Sequence, residues 1–252
     1  MNLSVIGTGS SGNAYLLECE GDSLLIEAGL RWKAIIAELP NGTRGIKACL
    51  ITHEHKDHCK AVEQVAGHGI KTIMSEGTFR EIYKGRDLQL SPVSNVRICK
   101  VGDVMQFPPF TVMAIQAVHD AAEPLAFLIR HDGTGETILY ATDTCVLPNR
   151  YPGVHYWLVE CNYTMQLAET LLDIPEKAPL YGRLLRSHMS LERLLEAFES
   201  NDMQTARTIV LLHISRERGD PPFMQETVQR ETGITTIAAR NGMKIKLGDC
   251  PF

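Results

Sequence analysis

The sequence predicts an α/β protein of stacked sheets whose outer faces are covered by helices, and three observations predict it. Short apolar or alternating runs of strand length occur in both halves, helix-length segments lie between them, and no Pro- or Gly-rich linker, repeat or low-complexity tract divides the chain. Strands and helices interspersed in this way bury both faces of a sheet most readily as layers, so residues 1–252 read as a single domain. A hydrophobic content of 44% over 252 residues allows a substantial core.

In chain order, Leu3–Ile6, Ala14–Glu18 and Ser23–Glu27 read as strands, the last two joined through Glu20-Gly21-Asp22, a hairpin signal because glycine takes the positive φ of a tight turn. Trp32–Leu39 reads as a helix, Ala48–Ile51 as a strand, His58–Ala66 as a helix, Lys71–Met74 as a strand and Gly77–Tyr83 as a helix. Thr111–Val118, Ala126–Arg130 and Thr137–Ala141 are strands, the last pair flanking a second hairpin signal, His131-Asp132-Gly133-Thr134-Gly135. Strand Tyr156–Glu160, helix Leu191–Asn201, strand Thr208–His213, helix Pro222–Thr232 and strand Thr236–Ala239 follow; proline suits the first turn of a helix.

No stretch approaches the roughly 20 consecutive apolar residues that span a bilayer, and Met1-Asn2-Leu3-Ser4-Val5-Ile6-Gly7 lacks the pattern of a signal peptide. A cytoplasmic protein with no membrane partner is expected. The cysteines (Cys19, Cys49, Cys59, Cys99, Cys145, Cys161, Cys250) are odd in number and form no CxxC pair, so they read as reduced, mostly buried thiols. A net charge of −5 counts against a broad surface for long nucleic acid, while leaving room for a local basic groove.

The run Thr52-His53-Glu54-His55-Lys56-Asp57-His58, directly after Ile46-Lys47-Ala48-Cys49-Leu50-Ile51, crowds four potential metal ligands into six residues. Imidazole and carboxylate are the donors that Zn²⁺ or Mn²⁺ accept. A strand ending near Thr52 would aim His53 and His55 the same way, with Asp57 and His58 on the following turn free to reach a second ion. Further candidates sit where other apolar strands emerge: His119, Asp143 and His213. Glu160, ending Tyr156-Trp157-Leu158-Val159, is a candidate support for His188, and Gly7-Thr8-Gly9-Ser10-Ser11-Gly12-Asn13 reads first as a tight turn. His68, His131 and His155 read as surface or structural, and Met203, Met224 and Met243 as packing residues.

The order Glu27, HxHxDH, His119, Asp143, His213 resembles that of the metallo-β-lactamase-fold hydrolases over nearly the whole chain, and most closely their YycJ/WalJ-like branch, related to the tRNase Z group. The segments that carry the resemblance are Gly9–Tyr15, Leu25–Gly29, His119–Pro124, Thr142-Asp143-Thr144, Glu160-Cys161-Asn162, and the pair Ser187-His188-Met189-Ser190 and Leu212-His213-Ile214-Ser215. It implies a four-layer αβ/βα sandwich with a site at one edge between the sheets. It also implies two divalent metal ions, Zn²⁺ or Mn²⁺: one on His53, His55 and His119, the other on Asp57, His58 and His213, with Asp143 and a water or hydroxide between them. In nuclease-type members the position of His188 lies beside the scissile phosphate, which implies catalytic roles for His188 and Asp57. Glu27 stands where the family usually has Asp; its expected role is to orient the HxHxDH loop rather than to bind metal.

The implied activity is metal-dependent phosphodiester hydrolysis, nuclease-like on DNA or RNA. A cyclic nucleotide on the same site is an open alternative, since the chain is compact and acidic with no β-CASP-like insertion, and dimerisation to a homodimer would complete a small pocket. Thioester, lactone or β-lactam hydrolysis is the alternative reaction class, because fold alone never fixes substrate.

Overall fold

The computed structural model describes residues 1–89 and 92–248; Cys250 lies outside the described residues. Two seven-stranded sheets pack face to face. The first contains β1 (Asn2–Gly7), β2 (Ala14–Cys19), β3 (Asp22–Ile26), β4 (Ile46–Leu50), β5 (Thr72–Met74), β6 (Val96–Ile98) and β14 (Met243–Lys246), in the order β14-β1-β2-β3-β4-β5-β6. The second contains β7 (Val104–Phe107), β8 (Phe110–Gln116), β9 (Leu125–His131), β10 (Thr137–Ala141), β11 (Tyr156–Glu160), β12 (Thr208–Leu212) and β13 (Thr235–Ala238), in the order β13-β12-β11-β10-β9-β8-β7. The helices are α1 (Trp32–Ala37), α2 (Lys56–Cys59), α3 (Val62–Gly67), α4 (Glu76–Ile82), α5 (Met165–Glu169), α6 (Ala178–Ser187), α7 (Leu191–Ser200) and α8 (Pro221–Thr232).

Strand alternation produces the layers. Leu3, Val5, Tyr15 and Leu17 point to one face of the first sheet and meet Phe110, Val112, Phe127 and Tyr140 of the second in a central core. The opposite face, with Ile6, Leu16, Leu25 and Cys49, packs on Ile35 of α1, Val62 and Val65 of α3 and Ile82 of α4. The far face of the second sheet, with Leu139, Trp157, Val159 and Ile209, packs on Leu194 and Phe198 of α7 and Met224 and Val228 of α8. This is the helix, sheet, sheet, helix order of the expected sandwich.

Each sheet is antiparallel on one side and parallel on the other. In the first, β1, β2 and β3 alternate in direction and β3 to β6 are parallel. In the second, β8, β9 and β10 alternate and β10 to β13 are parallel. Consequently β1, β3 and β4 run alike, as do β8, β10, β11 and β12, and their C-terminal ends open onto one rim. Carboxyl ends of parallel strands are where open α/β sheets present functional groups.

Several elements differ from the expectation. The helix expected over His58–Ala66 is two short helices: Asp57 O accepts from Asn13 N (2.7 Å), His58 O accepts from Ala28 N (2.8 Å), and Ala61 N donates to Ala28 O (2.8 Å), so tertiary bonds replace helical ones. Strands β6, β7 and β14 and helices α5 and α6 lie outside the elements the sequence predicts: β6 has three residues, β14 alternates Met243-Lys244-Ile245-Lys246 over only four residues at a sheet edge, and α6 is amphipathic but interrupted by Gly182. His131 is buried, not solvent-facing, and its Nδ1 accepts from Thr134 N at 3.1 Å. Both hairpins form; Glu20 (φ 52°) and Gly21 (φ 91°) make the two-residue turn between β2 and β3.

Candidate metal centre and active site

The rim gathers the polar residues singled out in the sequence. Glu27 follows β3, the HxHxDH run follows β4, His119 follows β8, Asp143 follows β10, Glu160 ends β11, His188 follows α6 and His213 follows β12. Strand β4 stops at Leu50, so His53 and His55 share a direction through the loop that follows it rather than through strand alternation, and Asp57 and His58 belong to α2. Three of the four non-glycine residues with positive φ among the described residues are Glu27 (64°), Asp143 (51°) and His213 (51°). Left-handed backbone costs a side-chain-bearing residue about 1–2 kcal/mol, and its recurrence here turns each chain sharply off its strand into the site.

Four overlapping groups have donor atoms within 4.8 Å of one another: His53, His55 and His119; Asp57, His58 and His213; His53, His58 and Asp143; and Asp143, Glu160, His188 and His213. His55 Nδ1 lies 3.0 Å from His53 Nε2 and 3.2 Å from His119 Nε2. His58 Nε2 lies 3.1 Å from Asp143 Oδ2 and 3.6 Å from Asp57 Oδ2. His213 Nε2 lies 3.6 Å from Asp57 Oδ2 and 3.7 Å from Asp143 Oδ2; it is buried and has no hydrogen bond. Three ring nitrogens converging on one point, beside a buried imidazole nitrogen with no partner, are satisfied by cations. The donor set therefore fits divalent metal.

Residues behind the candidate ligands fix their orientation. Thr52 Oγ1 donates to Glu27 Oε1 (2.6 Å) and lies 2.9 Å from His53 Nδ1, which leaves His53 Nε2 for the centre. The Glu27 carboxylate also lies 3.3 Å from His58 Nδ1, though not aligned for a hydrogen bond. Ser187 O is 2.6 Å from His119 Nδ1. Asn13 Nδ2 is 3.1 Å from His58 Nε2, with Asn13 Oδ1 held by Gly9 N and Tyr15 Oη, and Asn162 Nδ2 donates to His213 O (2.8 Å). Asn13 and Asn162 were legible only as parts of motifs; a buried amide next to a ligand-bearing strand end is the signal that finds them. The Gly7–Asn13 loop thus braces the candidate ligands His58, through Asn13, and His213, whose backbone N–H donates to Thr8 Oγ1 (3.0 Å). Gly29 is required, since a Cβ there would lie 1.6 Å from Asp57 O.

His188 is differently placed. Its Nδ1 is 2.7 Å from Glu160 Oε1 and 3.5 Å from Asp143 Oδ1, and its ring stacks on His213 at 5.5 Å and 8°. Glu160 Oε2 accepts from Thr144 N (3.0 Å) and Met189 N (3.2 Å), so the carboxylate is locked. Ser190 caps α7 by accepting from Arg193 N.

Electrostatics divide the imidazoles. Burial pushes His53 and His119 below the ordinary imidazole range, so both offer lone pairs. Burial opposes charge on His58 and His213 as well, but Asp143, with Glu27 for His58 and with Asp57 and Glu160 for His213, overrides it: His58 is held well above its usual range and His213 is raised to about 10. Burial likewise opposes ionisation of Asp57 and Asp143, yet the neighbouring His213 and His58 hold both carboxyls well below the usual carboxylate range. In His188, Glu160 outweighs burial and raises the pKa.

The sequence pattern of the beta-lactamase superfamily domain matches residues 24–214. Exodeoxyribonuclease WalJ of Streptococcus pneumoniae serotype 2 is 29% identical over 224 residues, covering 85% of this chain and 81% of that protein. Exodeoxyribonuclease YycJ of Bacillus anthracis is 26% identical over 175 residues, covering 66% and 65%. The crystal structure of human tRNase Z, short form, superposes with a TM-score of 0.66 at 15% identity, covering 98% of this chain and 99% of that one.

Proposed function

The chain belongs to the beta-lactamase superfamily, and from that premise we propose that it is a metal-dependent phosphodiesterase of nuclease type, acting on DNA or RNA. The similarity to two exodeoxyribonucleases supports this reading, and the observation that carries it is the Glu160–His188 pair set beside the metal-ligand cluster. His53, His55 and His119 would hold one divalent ion and Asp57, His58 and His213 a second, with Asp143 shared; Zn²⁺ or Mn²⁺ suits this mixture of imidazole and carboxylate. When bound, such ions lower the pKa of water and neutralise charge developing on a phosphoryl oxygen.

The remaining work falls to this chain's own side chains. Asp57, whose side chain is 27% exposed against 3% for Asp143, is the ligand carboxylate open to solvent and is suited to orient an attacking water. Glu160 engages His188 Nδ1, which leaves Nε2 as the nitrogen able to give a proton to a leaving oxygen. With its pKa raised, His188 carries that proton near neutrality. A cytoplasmic location accompanies this reading, supported by the absence of disulfides among the six described cysteines, Cys19, Cys49, Cys59, Cys99, Cys145 and Cys161. No helix among the described residues is long and apolar enough to cross a membrane.

Bis-p-nitrophenyl phosphate, assayed beside ester, thioester and β-lactam substrates with Zn²⁺ and with Mn²⁺, tests the reading. Turnover of the phosphodiester above the acyl substrates is expected; hydrolysis of an acyl substrate alone would transfer the site to the other reaction class.

A further inference from the structure

Beside the ligand cluster a cleft of about 250 Å³ opens between α6 and the loop after β12, with His188 and His213 on its inner side. Its outer lining has a different chemistry. Arg183, Arg218, Ser10 and Ser215 line it together with the apolar Leu180, Leu184 and Ile214, and no carboxylate is among the lining residues. The Arg218 side chain is only 17% exposed, and its one ion-pair partner among the described residues, Glu217, is itself 77% exposed. A guanidinium carries five N–H donors, so a largely buried one with a single partner has donors to spare. Arg183 spends Nε on Asp120 (2.7 Å) and keeps both terminal nitrogens. Ser215 Oγ accepts from Arg218 N (3.2 Å), which leaves its hydroxyl hydrogen to donate.

A cleft lined by two arginines and no carboxylate selects an anion, and forked guanidinium groups match phosphate oxygens in pairs. Its volume lies just under the roughly 300–1,000 Å³ of ordinary small-ligand pockets, which suits one phosphate and its sugar rather than a length of chain. We propose that this cleft binds the phosphate neighbouring the scissile one, so that the substrate is a nucleic acid strand and not a cyclic mononucleotide; the inference rests on the phosphodiesterase reading. A cyclic mononucleotide has no second anion to place there. Net charge of −5 is no obstacle, because one local phosphate site needs no broad basic surface.

The test compares the dinucleotide TpT with pTpT and TpTp, and with bis-p-nitrophenyl phosphate, for wild type, Arg218→Met and Arg183→Met. In the wild type one of the two phosphorylated dinucleotides should exceed TpT in kcat/KM by about tenfold or more. That advantage should collapse in at least one variant by more than any change on bis-p-nitrophenyl phosphate. Calorimetric binding of thymidine 3′,5′-bisphosphate gives a readout without turnover and should weaken in parallel. The wild-type comparison stands even if a variant misfolds. Equal kcat/KM on TpT, pTpT and TpTp, or an advantage that survives both substitutions, overturns the subsite while leaving the phosphodiesterase reading intact; failure to turn over any phosphodiester overturns both.

Discussion

Glu27 accepts from Thr52 through both carboxylate oxygens, Oε1 from the hydroxyl (2.6 Å) and Oε2 from the backbone N–H (3.3 Å), and reaches His58 as well, all from a left-handed backbone position after β3. A longer side chain than the usual Asp therefore still supports the HxHxDH run, by contacts rather than by ligation. Glu27→Ala should weaken metal affinity by roughly 10- to 100-fold, measured by competition with a chromophoric chelator; unchanged affinity would mean that the support comes from elsewhere. For His188 the expected signature is different. His188→Ala should lower kcat on bis-p-nitrophenyl phosphate by about 10²-fold or more at unchanged metal content, and a variant that loses metal instead would make His188 a ligand, as its place in one of the four donor groups permits. The ligand candidates were legible because imidazole and carboxylate at strand ends are conspicuous in sequence. Their braces were not: Asn13 and Asn162 are common loop residues until the fold brings them within 3.1 Å and 2.8 Å of His58 and His213.

At the scale of elements, the strands that bear the site were legible and the helices around it only partly. Each of those strands has a buried, β-branched or alternating run, as in β10 and β11, which match the expected Thr137–Ala141 and Tyr156–Glu160. Helix α6 has Pro179 in its first turn, where proline is tolerated, but Gly182 in its interior costs about 1 kcal/mol relative to alanine, so the segment sends a mixed local signal. The break between α2 and α3 was invisible, since it is made by backbone bonds from Asn13 and Ala28 that no local pattern encodes. This break seats Asp57 over Gly29. Gly29→Ala should therefore displace α2, losing metal occupancy along with activity, measured by metal analysis of the purified variant. Full occupancy in that variant would show that α2 can shift without disturbing its ligands.

For the whole molecule, the layered sandwich followed from strands and helices interspersed through one chain, whereas which sheet each strand joins is fixed only by pairing, as with β14 returning beside β1. Opposed imidazole shifts at the rim predict how the metal-free protein responds to pH. His58 and His213, with raised folded pKa values, stabilise below the unfolded value of about 6.5 and lose that contribution as pH rises through the folded one. His53 and His119, with lowered values, have the reverse dependence: their environment favours the fold above about 6.5 and penalises it as pH falls. These four groups should make metal-free stability fall on both sides of about pH 6.5, read as Tm after chelation; a monotonic rise through pH 9 would contradict the assigned shifts. Metal loading at neutral pH should release protons from His58 and His213 but not from His53 and His119, because a bound ion needs the lone pair; calorimetry in buffers of different ionisation enthalpy detects that release, and its absence would mean those rings are already neutral. The central claim, a dinuclear metal-dependent phosphodiesterase, is tested most directly by titrating chelator-treated protein with Zn²⁺ or Mn²⁺ while following bis-p-nitrophenyl phosphate hydrolysis. Activity should be absent without metal and reach its plateau at about two ions per chain, whereas turnover that persists in chelator, or none with either ion, would contradict it.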